Sequence, residues 1–448
     1  MKIAWITPFS RRSAIGRVSA AVTRLLWARG HQVTIIRSEL RRSDPTPIHP
    51  TPLPVLWWHD LLPWEVEREN DAVVVNLGDH YGFHAGCLPF LDVVPCLGVF
   101  HDFFLYYFFY EWVRYNGFGE DLHDREIQLT YGQSAIDVAR RAWRNPHSLD
   151  MIVDSIPMTE WLGRKCGAAL THSQFYVRRL EKSCPGPIAT APLCFDARAV
   201  APLPDRDNDD IVITTIGHMN SNKCADTVIK AIAASPVLSK RCRYRLVGMI
   251  TRSERSRLES LCRDVGYDRV DFLGEVNDAI LIAEIERADI LSCLRKPVLE
   301  GASASAIEGM KSGRPIIVAD TGFYADLPDD LVFKIPAAVD VAPLTAVLER
   351  LVQDKELRRQ TGLRAKDWAM RTFTTEAYVD VLEDLLAQFI NAKPLLAVGN
   401  RIGQQLAELN VAENDPAIER LGGKMKGLFG DSSEVPSVSP GPHHALNQ

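Results

Sequence analysis

The sequence predicts an α/β protein built from two doubly wound domains. Two observations carry this. Apolar, β-branched runs alternate with amphipathic runs along most of the chain, the pattern of parallel strands joined by crossover helices. The alternation begins twice, at KIAWITPF (2–9) and at IVITTIGH (211–218), with a stretch rich in Pro and Asp (192–210) between. The length of 448 residues leaves room for two or three domains at ~150 residues each.

The first domain is expected over 1–200. KIAWITPF reads as a buried parallel strand. SRRSAIG reads as a loop, and RVSAAVTRLLWARG as an amphipathic helix closed by Gly30. HQVTIIRS, DAVVVNLG (71–78), VPCLGVFHD (94–102) and GAALTHS (167–173) follow as strands, with a helix from about Gln174. The aromatic run FFLYYFFYEWV (103–113) fits a packed helix.

The second domain is expected over 201–374. Its strands are IVITTIGH, YRLVGMI, VDFLGEV, ADILSCL (288–294), PIIVAD (315–320) and DLVFKI. Helices ADTVIKAIAAS, SERSRLESLCRDV and ILIAEIERA lie between them, and VAPLTAVLERLVQD follows. A helix is predicted over 375–392. The tail, 393–448, carries one short amphipathic segment and a Gly/Ser/Pro-rich end (430–448) expected to be disordered.

Composition narrows the function classes. Hydrophobic residues make up 46% and charged residues 24%, ordinary for a globular protein. A net charge of −6 gives no bulk attraction to nucleic acid. Nine scattered cysteines without a C-x-x-C pair fit reduced thiols in the cytoplasm. The opening MKIAWITPFSRR is too short an apolar run for a signal peptide, and no stretch reaches ~18 uncharged apolar residues. The first 45 residues are nonetheless basic: Lys2, Arg11, Arg12, Arg17, Arg24, Arg29, Arg37, Arg41 and Arg42 stand against Glu39 and Asp44. Such a face could meet an anionic membrane surface at its inner side, or a phosphorylated acceptor.

The segment LEGASASAIEGMKSGRPIIVADTG (299–322) carries the most chemistry. Glu300 and Glu308 have seven small or apolar residues between them, after one strand and entering a helix. The first N–H groups of a helix lack partners and its dipole favours anions. Gly301, Ala302, Ser303, Ala304 and Ser305 leave a phosphate free to approach. Carboxylates on either side would accept hydroxyl pairs of a sugar and a ribose. Ser305-x-x-Glu308 also fits a capping box.

Other candidates are weaker alone. Gly217, His218 and Lys223 lie in a polar loop at a strand end, where α/β folds bind ligands. His101 and Asp102 end another strand, and His101 could bond a sugar hydroxyl. The Ser13–Gly16 loop could admit a phosphate, but it is no G-x-G-x-x-G fingerprint. Metal signals are poor. Gly82 argues against a helical His80-x-x-x-His84 pair, and Asp205-Arg-Asp207 falls in the linker.

Together these residues resemble the GT-B glycosyltransferases, and within them retaining glycosyltransferase family 4 (glycosyl transferases group 1). Glu300 to Glu308 followed by GMKSGRPIIVADTG is similar to that family's sugar-donor signature. The opening strand with Gly16, His101-Asp102, ALTHS (169–173), GHMNSNK and FLGEV (272–276) follow in the family's order. The resemblance implies two Rossmann-like domains facing an interdomain cleft, with a last helix crossing back to the first domain. It implies a hexosyltransferase that moves a sugar, with retention and without a metal or other cofactor, from a nucleoside diphosphate to a glycan or lipid-linked acceptor in polysaccharide or glycoconjugate synthesis. Glu300 would hold the transferred sugar and steady its developing positive charge. Glu308 would bind the ribose, Lys223 the departing diphosphate, and the backbone of Gly301 to Ser303 and Gly16 would assist. His101 would face the sugar, and the base would lie near Gly248 and Leu273. Three departures stand out: His218 where the family usually has arginine, Gly-Ala-Ser after Glu300, and a single glycine in the first loop. A non-catalytic nucleotide-sugar-binding protein and a GT-B epimerase share the same architecture.

Overall fold

The computed structural model describes residues 1–41, 46–145, 149, 151–196, 201, 210–409, 411 and 415–429. Two compact units divide the chain, Met1–Ile390 and Asn391–Gln448. The first holds two parallel sheets. The second contains the helix Pro416–Phe429. The expected disordered end and Asp205-Arg-Asp207 lie outside the described residues, as does most of the linker.

The first sheet contains β1 (Lys2–Thr7), β2 (Gln32–Arg37), β3 (Val55–Trp57), β4 (Ala72–Leu77), β5 (Leu97–Phe100), β6 (Ala168–Thr171) and β7 (Ile188–Thr190), ordered β3-β2-β1-β4-β5-β6-β7. The second contains β8 (Ile211–Ile216), β9 (Cys242–Val247), β10 (Val270–Gly274), β11 (Ile290–Ser292), β12 (Ile316–Ala319) and β13 (Phe333–Ile335), ordered β10-β9-β8-β11-β12-β13. Every neighbouring pair is parallel. The central strands are buried throughout: all six residues of β4 and all four of β12. This is why they read as continuous apolar runs rather than alternating ones. β3 and β7 escaped the sequence reading because strands of three residues with no buried position show no period.

Both sheets reverse strand order at one place, between β1 and β4 and between β8 and β11. Ligands of doubly wound folds bind beyond the strand ends at such switch points. The loops there carry Ser10–Ser13 and Gly78–Asp79 in one lobe, and Gly217–Lys223 and Cys293–Ser303 in the other.

Three local features differ from expectation. The first helix is Ala14–Ala28, so it begins before Gly16 rather than after it, because the Ser13 side chain caps it by accepting from Gly16 N–H. The second concerns Ser303, not Ser305, which caps the helix Ala304–Lys311 by accepting from Ala306 N–H. The capping-box reading of Ser305 and Glu308 is therefore corrected: Glu308 lies deeper in the helix. The third is that Tyr81–His84 forms a helical turn despite Gly82. The aromatic run does pack as a helix, Tyr106–Tyr115, with Tyr106, Phe108 and Phe109 buried in the first lobe's core.

The helix Thr375–Glu408 begins in the first unit and returns to the first lobe. Asp380 accepts from Arg29 (2.8 Å) and Glu383 bonds His31 (2.7 Å). Tyr378 packs against His172 with ring centroids 5.7 Å apart.

Candidate functional site

The loop after β11 is pinned across the cleft by the first lobe. Leu299 O accepts from Phe103 N–H and Phe104 N–H, both at 2.9 Å, and Gly301 N–H donates to His101 O at 2.9 Å. Asp102 and Glu300 form an antiparallel bridge, and Ser173 Oγ donates to Gly301 O at 2.7 Å. A Cβ on Gly301 would stand 2.5 Å from Tyr176 Oη and 2.9 Å from His101 O. Gly301 thus serves close approach of the lobes. Its N–H, expected to face a phosphate, is already taken.

Between the lobes lies a cavity of about 600 Å³. The N-termini of two helices open on it, Ala14–Ala28 through Ser13 and Ala14, and Ala304–Lys311 through Ala302, Ala304 and Ser305. Arg11, Arg12, Arg17, Asp79, Asp102, His101 and Glu308 also line it. Glu308 is buried, with 6% of its surface exposed. Gly16 sits one turn behind this wall; its N–H bonds Ser13 Oγ at 3.0 Å, and a Cβ would strike Pro8 O at 2.6 Å.

Beside the start of the second helix, outside the cavity lining, is a charged cluster that includes a residue the sequence reading missed. Arg295 Nε forms an ion pair with Glu300 Oε1 (3.0 Å), while Nη2 donates to Ser305 Oγ (3.1 Å) and Nη1 to Leu294 O (2.8 Å). Tyr324 Oη donates to the same Glu300 oxygen at 2.8 Å. Burial pushes the Glu300 carboxyl up, but Arg295, the Tyr324 hydroxyl and Lys223 together hold it below its usual range. Glu300 is therefore ionised at neutral pH.

Lys223 lies in the same cluster. Its Nζ donates to Ile216 O at 2.9 Å, and the room for it comes from Gly217, where a Cβ would be 2.8 Å from Nζ. Burial, and then Arg295, push the Lys223 ammonium down to about 7, against an upward pull from Glu300. Gly248 packs on Gly217 so closely that a Cβ would sit 2.0 Å from its carbonyl oxygen. His218 is exposed and does not line the cavity. Leu273 lines a separate depression with Arg243, Arg245 and Phe272.

The first lobe contributes polar groups at the ends of β4 and β5. Asn76 Nδ2 donates to Ile6 O, so its Oδ1 accepts from His101 Nε2 at 3.0 Å. His101 Nδ1 lies 3.1 Å from His172 Nε2, within hydrogen-bonding distance. Burial, helped by His172, pushes the His101 imidazole well down. His101 is thus a neutral ring with both nitrogens committed inside the protein. It lines the cavity, with both ring nitrogens already bonded within the protein.

Asp79 and Asp102 are the other cavity groups to note. Asp79 N–H donates to Asp102 Oδ2 at 2.9 Å. Burial, with mutual repulsion, raises Asp102 well above the carboxylate range, and burial raises Asp79 to about 6. Asp79 ends an apolar strand just as Asp102 does, and that signal could have found it. Among the described residues no group of three or more His, Cys, Asp or Glu could hold a metal ion. His84 is committed to Asn76 O at 2.8 Å. No described helix is long and apolar enough to cross a membrane.

Comparison with known proteins agrees with this fold. Residues 202–368 match the family described as glycosyl transferases group 1. An MMP alpha-(1->4)-mannosyltransferase from Mycolicibacterium hassiacum is 26% identical over 266 residues, which is 57% of this chain and 60% of that relative's length. Sucrose-phosphate synthase from Thermosynechococcus elongatus superposes with a TM-score of 0.60 at 16% identity, over 88% of this chain and 100% of its own. Anabaena HepE, solved with UDP and glucose, gives 0.57 at 12% identity over 86% and 99%. The chain has the GT-B fold, and its second lobe is similar to the group 1 glycosyl transferases.

Proposed function

We propose that the protein is a glycosyltransferase that moves a sugar from a nucleoside diphosphate to a glycan or lipid-linked acceptor. The reading includes retention at the anomeric carbon and no requirement for a metal. It places the work in the cytoplasm, with the basic first lobe toward the membrane surface. The observation that carries it is the interlobe cavity onto which two helix N-termini open, backed by Lys223, Arg295 and an ionised Glu300. Such a site suits a diphosphate on one side and a cationic reacting centre on the other. The likeness to a mannosyltransferase and the group 1 match support hexosyl transfer.

In this reading the diphosphate lies at the start of Ala304–Lys311. Lys223 and Arg295 offset its charge as the bond from the anomeric carbon to phosphate oxygen breaks. That charge neutralisation is what a metal supplies elsewhere. Glu300 steadies the positive charge that develops on the sugar. The acceptor oxygen bonds to the same face, and its proton passes to the departing phosphate. Glu308 takes the ribose, with the base toward Gly248 and Leu273; Ala302 and Ser303 shape the phosphate wall. Position 218 does not leave the site short of a second cation, because Arg295 fills that need.

Glu300→Gln tests the reading. With EDTA present, wild-type protein should transfer sugar from one member of a UDP-, GDP- and ADP-sugar panel. The variant should bind that sugar donor yet lose ~100-fold or more in turnover. Turnover near wild type in the variant sinks the proposal.

A further inference from the structure

A second cavity, of about 780 Å³, shares Arg12, His80 and Phe83 with the interlobe cavity and extends along the first lobe. Tyr81, Tyr110 and Tyr115 line it, beside Arg12, Arg41, Arg114, Glu39 and Glu111. Its charges do not cancel. Glu39 is committed inward: it pairs with Arg37 at 3.0 Å and accepts from Phe9 and Ser10 N–H at 2.9 and 2.8 Å. Glu111 accepts from Tyr81 N–H at 3.1 Å. Arg114 donates to the Tyr110 hydroxyl and lies over its ring at 5.3 Å. Arg12 and Arg41 are exposed, and among the described residues their side chains make no hydrogen bond or ion pair. In a chain of net charge −6, two guanidinium groups without a partner among the described residues thus line one cavity. Guanidinium groups bind phosphoryl and carboxylate oxygens in pairs, and aromatic rings beside them offer apolar surface to a sugar ring.

We propose that this arm is the acceptor site and that the acceptor is an acidic sugar, one bearing a phosphoryl or carboxylate group that Arg12 and Arg41 hold. The proposal rests on the transferase reading above, which supplies the need for an acceptor beside the sugar donor. A neutral glycan would leave both guanidinium groups without a partner. Because the arm joins the interlobe cavity at Arg12, a sugar anchored by its charge can direct a hydroxyl toward that cavity.

The test is calorimetric titration of full-length protein with glucose 6-phosphate, glucuronic acid and methyl glucoside at low salt. The charged sugars should bind ~10-fold or more tightly than methyl glucoside, a preference that added salt weakens. Arg12→Ala/Arg41→Ala should erase the preference, and Arg41→Ala alone should lower it while leaving UDP, GDP or ADP binding intact as a check on folding. Equal affinity for neutral and charged sugars, with nucleotide binding intact, overturns this inference alone. Failure of all three nucleotides to bind wild-type protein overturns the transferase reading instead. Inorganic phosphate binding as tightly as glucose 6-phosphate overturns the sugar part. Phosphatidylglycerol vesicles bound through Arg12 and Arg41, without discrimination among the sugars, replace it with a membrane contact.

Discussion

Lys223 is a cation that the fold holds near its titration point. Its ammonium sits close to neutrality because burial costs it solvent and Arg295 repels it. A bound diphosphate reverses that balance and favours the charged form. At pH 8, binding of the nucleoside diphosphate should therefore take up ~1 proton, measured by calorimetry in buffers of different ionisation enthalpy. Lys223→Met should abolish the uptake; no uptake by wild type refutes the role. The same shift has a sign for stability. Between pH of about 7 and the ordinary lysine value of 10.5, the unfolded chain holds a proton the folded one lacks, so this lysine makes folding more favourable as pH rises through that window. Arg295 poses the complementary case. Without it, the upward push of burial on Glu300 stands less opposed. Arg295→Met should move the acid limb of the kcat/KM profile up by ~1 unit or more, and Arg295→Lys by less. An acid limb that stays put in a folded Arg295→Met protein removes Arg295 from that role. Glu300 was legible in the sequence because a carboxylate at the end of an apolar strand has few bland explanations. Arg295 was not: an arginine five residues earlier carries no pattern, and only the fold turns it onto Glu300 and Ser305.

Elements decide where these groups point. The strand–loop–helix order around Glu300 was readable from composition, since β11, β12 and the intervening helix each keep their apolar pattern. The details of the loop were not readable. Ser303 and Ser305 are equally good caps on paper, and packing chose Ser303. The small residues after Glu300 suggested an open approach for a phosphate. At Gly301 the space is instead filled by Tyr176 and His101 O from the other lobe. Gly301→Ala must push that contact apart, and should cost ~1–3 kcal/mol of stability by overpacking while lowering turnover through displaced Glu300. A melting temperature and a turnover both equal to wild type would show that the contact gives way without cost. The first helix teaches a similar lesson: Gly16 looked like a loop glycine and is a helical one, kept small by Pro8 and His49.

At the scale of the molecule, the repeated strand pattern was enough to predict two doubly wound sheets, and the observed strand order is one that right-handed crossovers between parallel strands allow. What the pattern could not carry was the contact between lobes, because it involves residues far apart in sequence and no period. The returning helix is one such contact. Glu383 meets both Arg29 and His31, partly exposed. Solvent screening limits such pairs to ~1 kcal/mol, so Glu383→Ala should lower Tm by only a few degrees. A double-mutant cycle with Arg29→Ala checks this; zero coupling means the pair adds nothing.

The backbone pairing of 101–104 with 299–301 has a kinetic meaning. Three backbone hydrogen bonds join these segments, the Ser173 hydroxyl adds a fourth, and the segment they hold contains Glu300. Any parting of the lobes would undo the anchorage that holds the carboxylate in place. For the transferase proposed above, this anchorage acts as a clutch: the carboxylate is aimed only while the two segments stay paired.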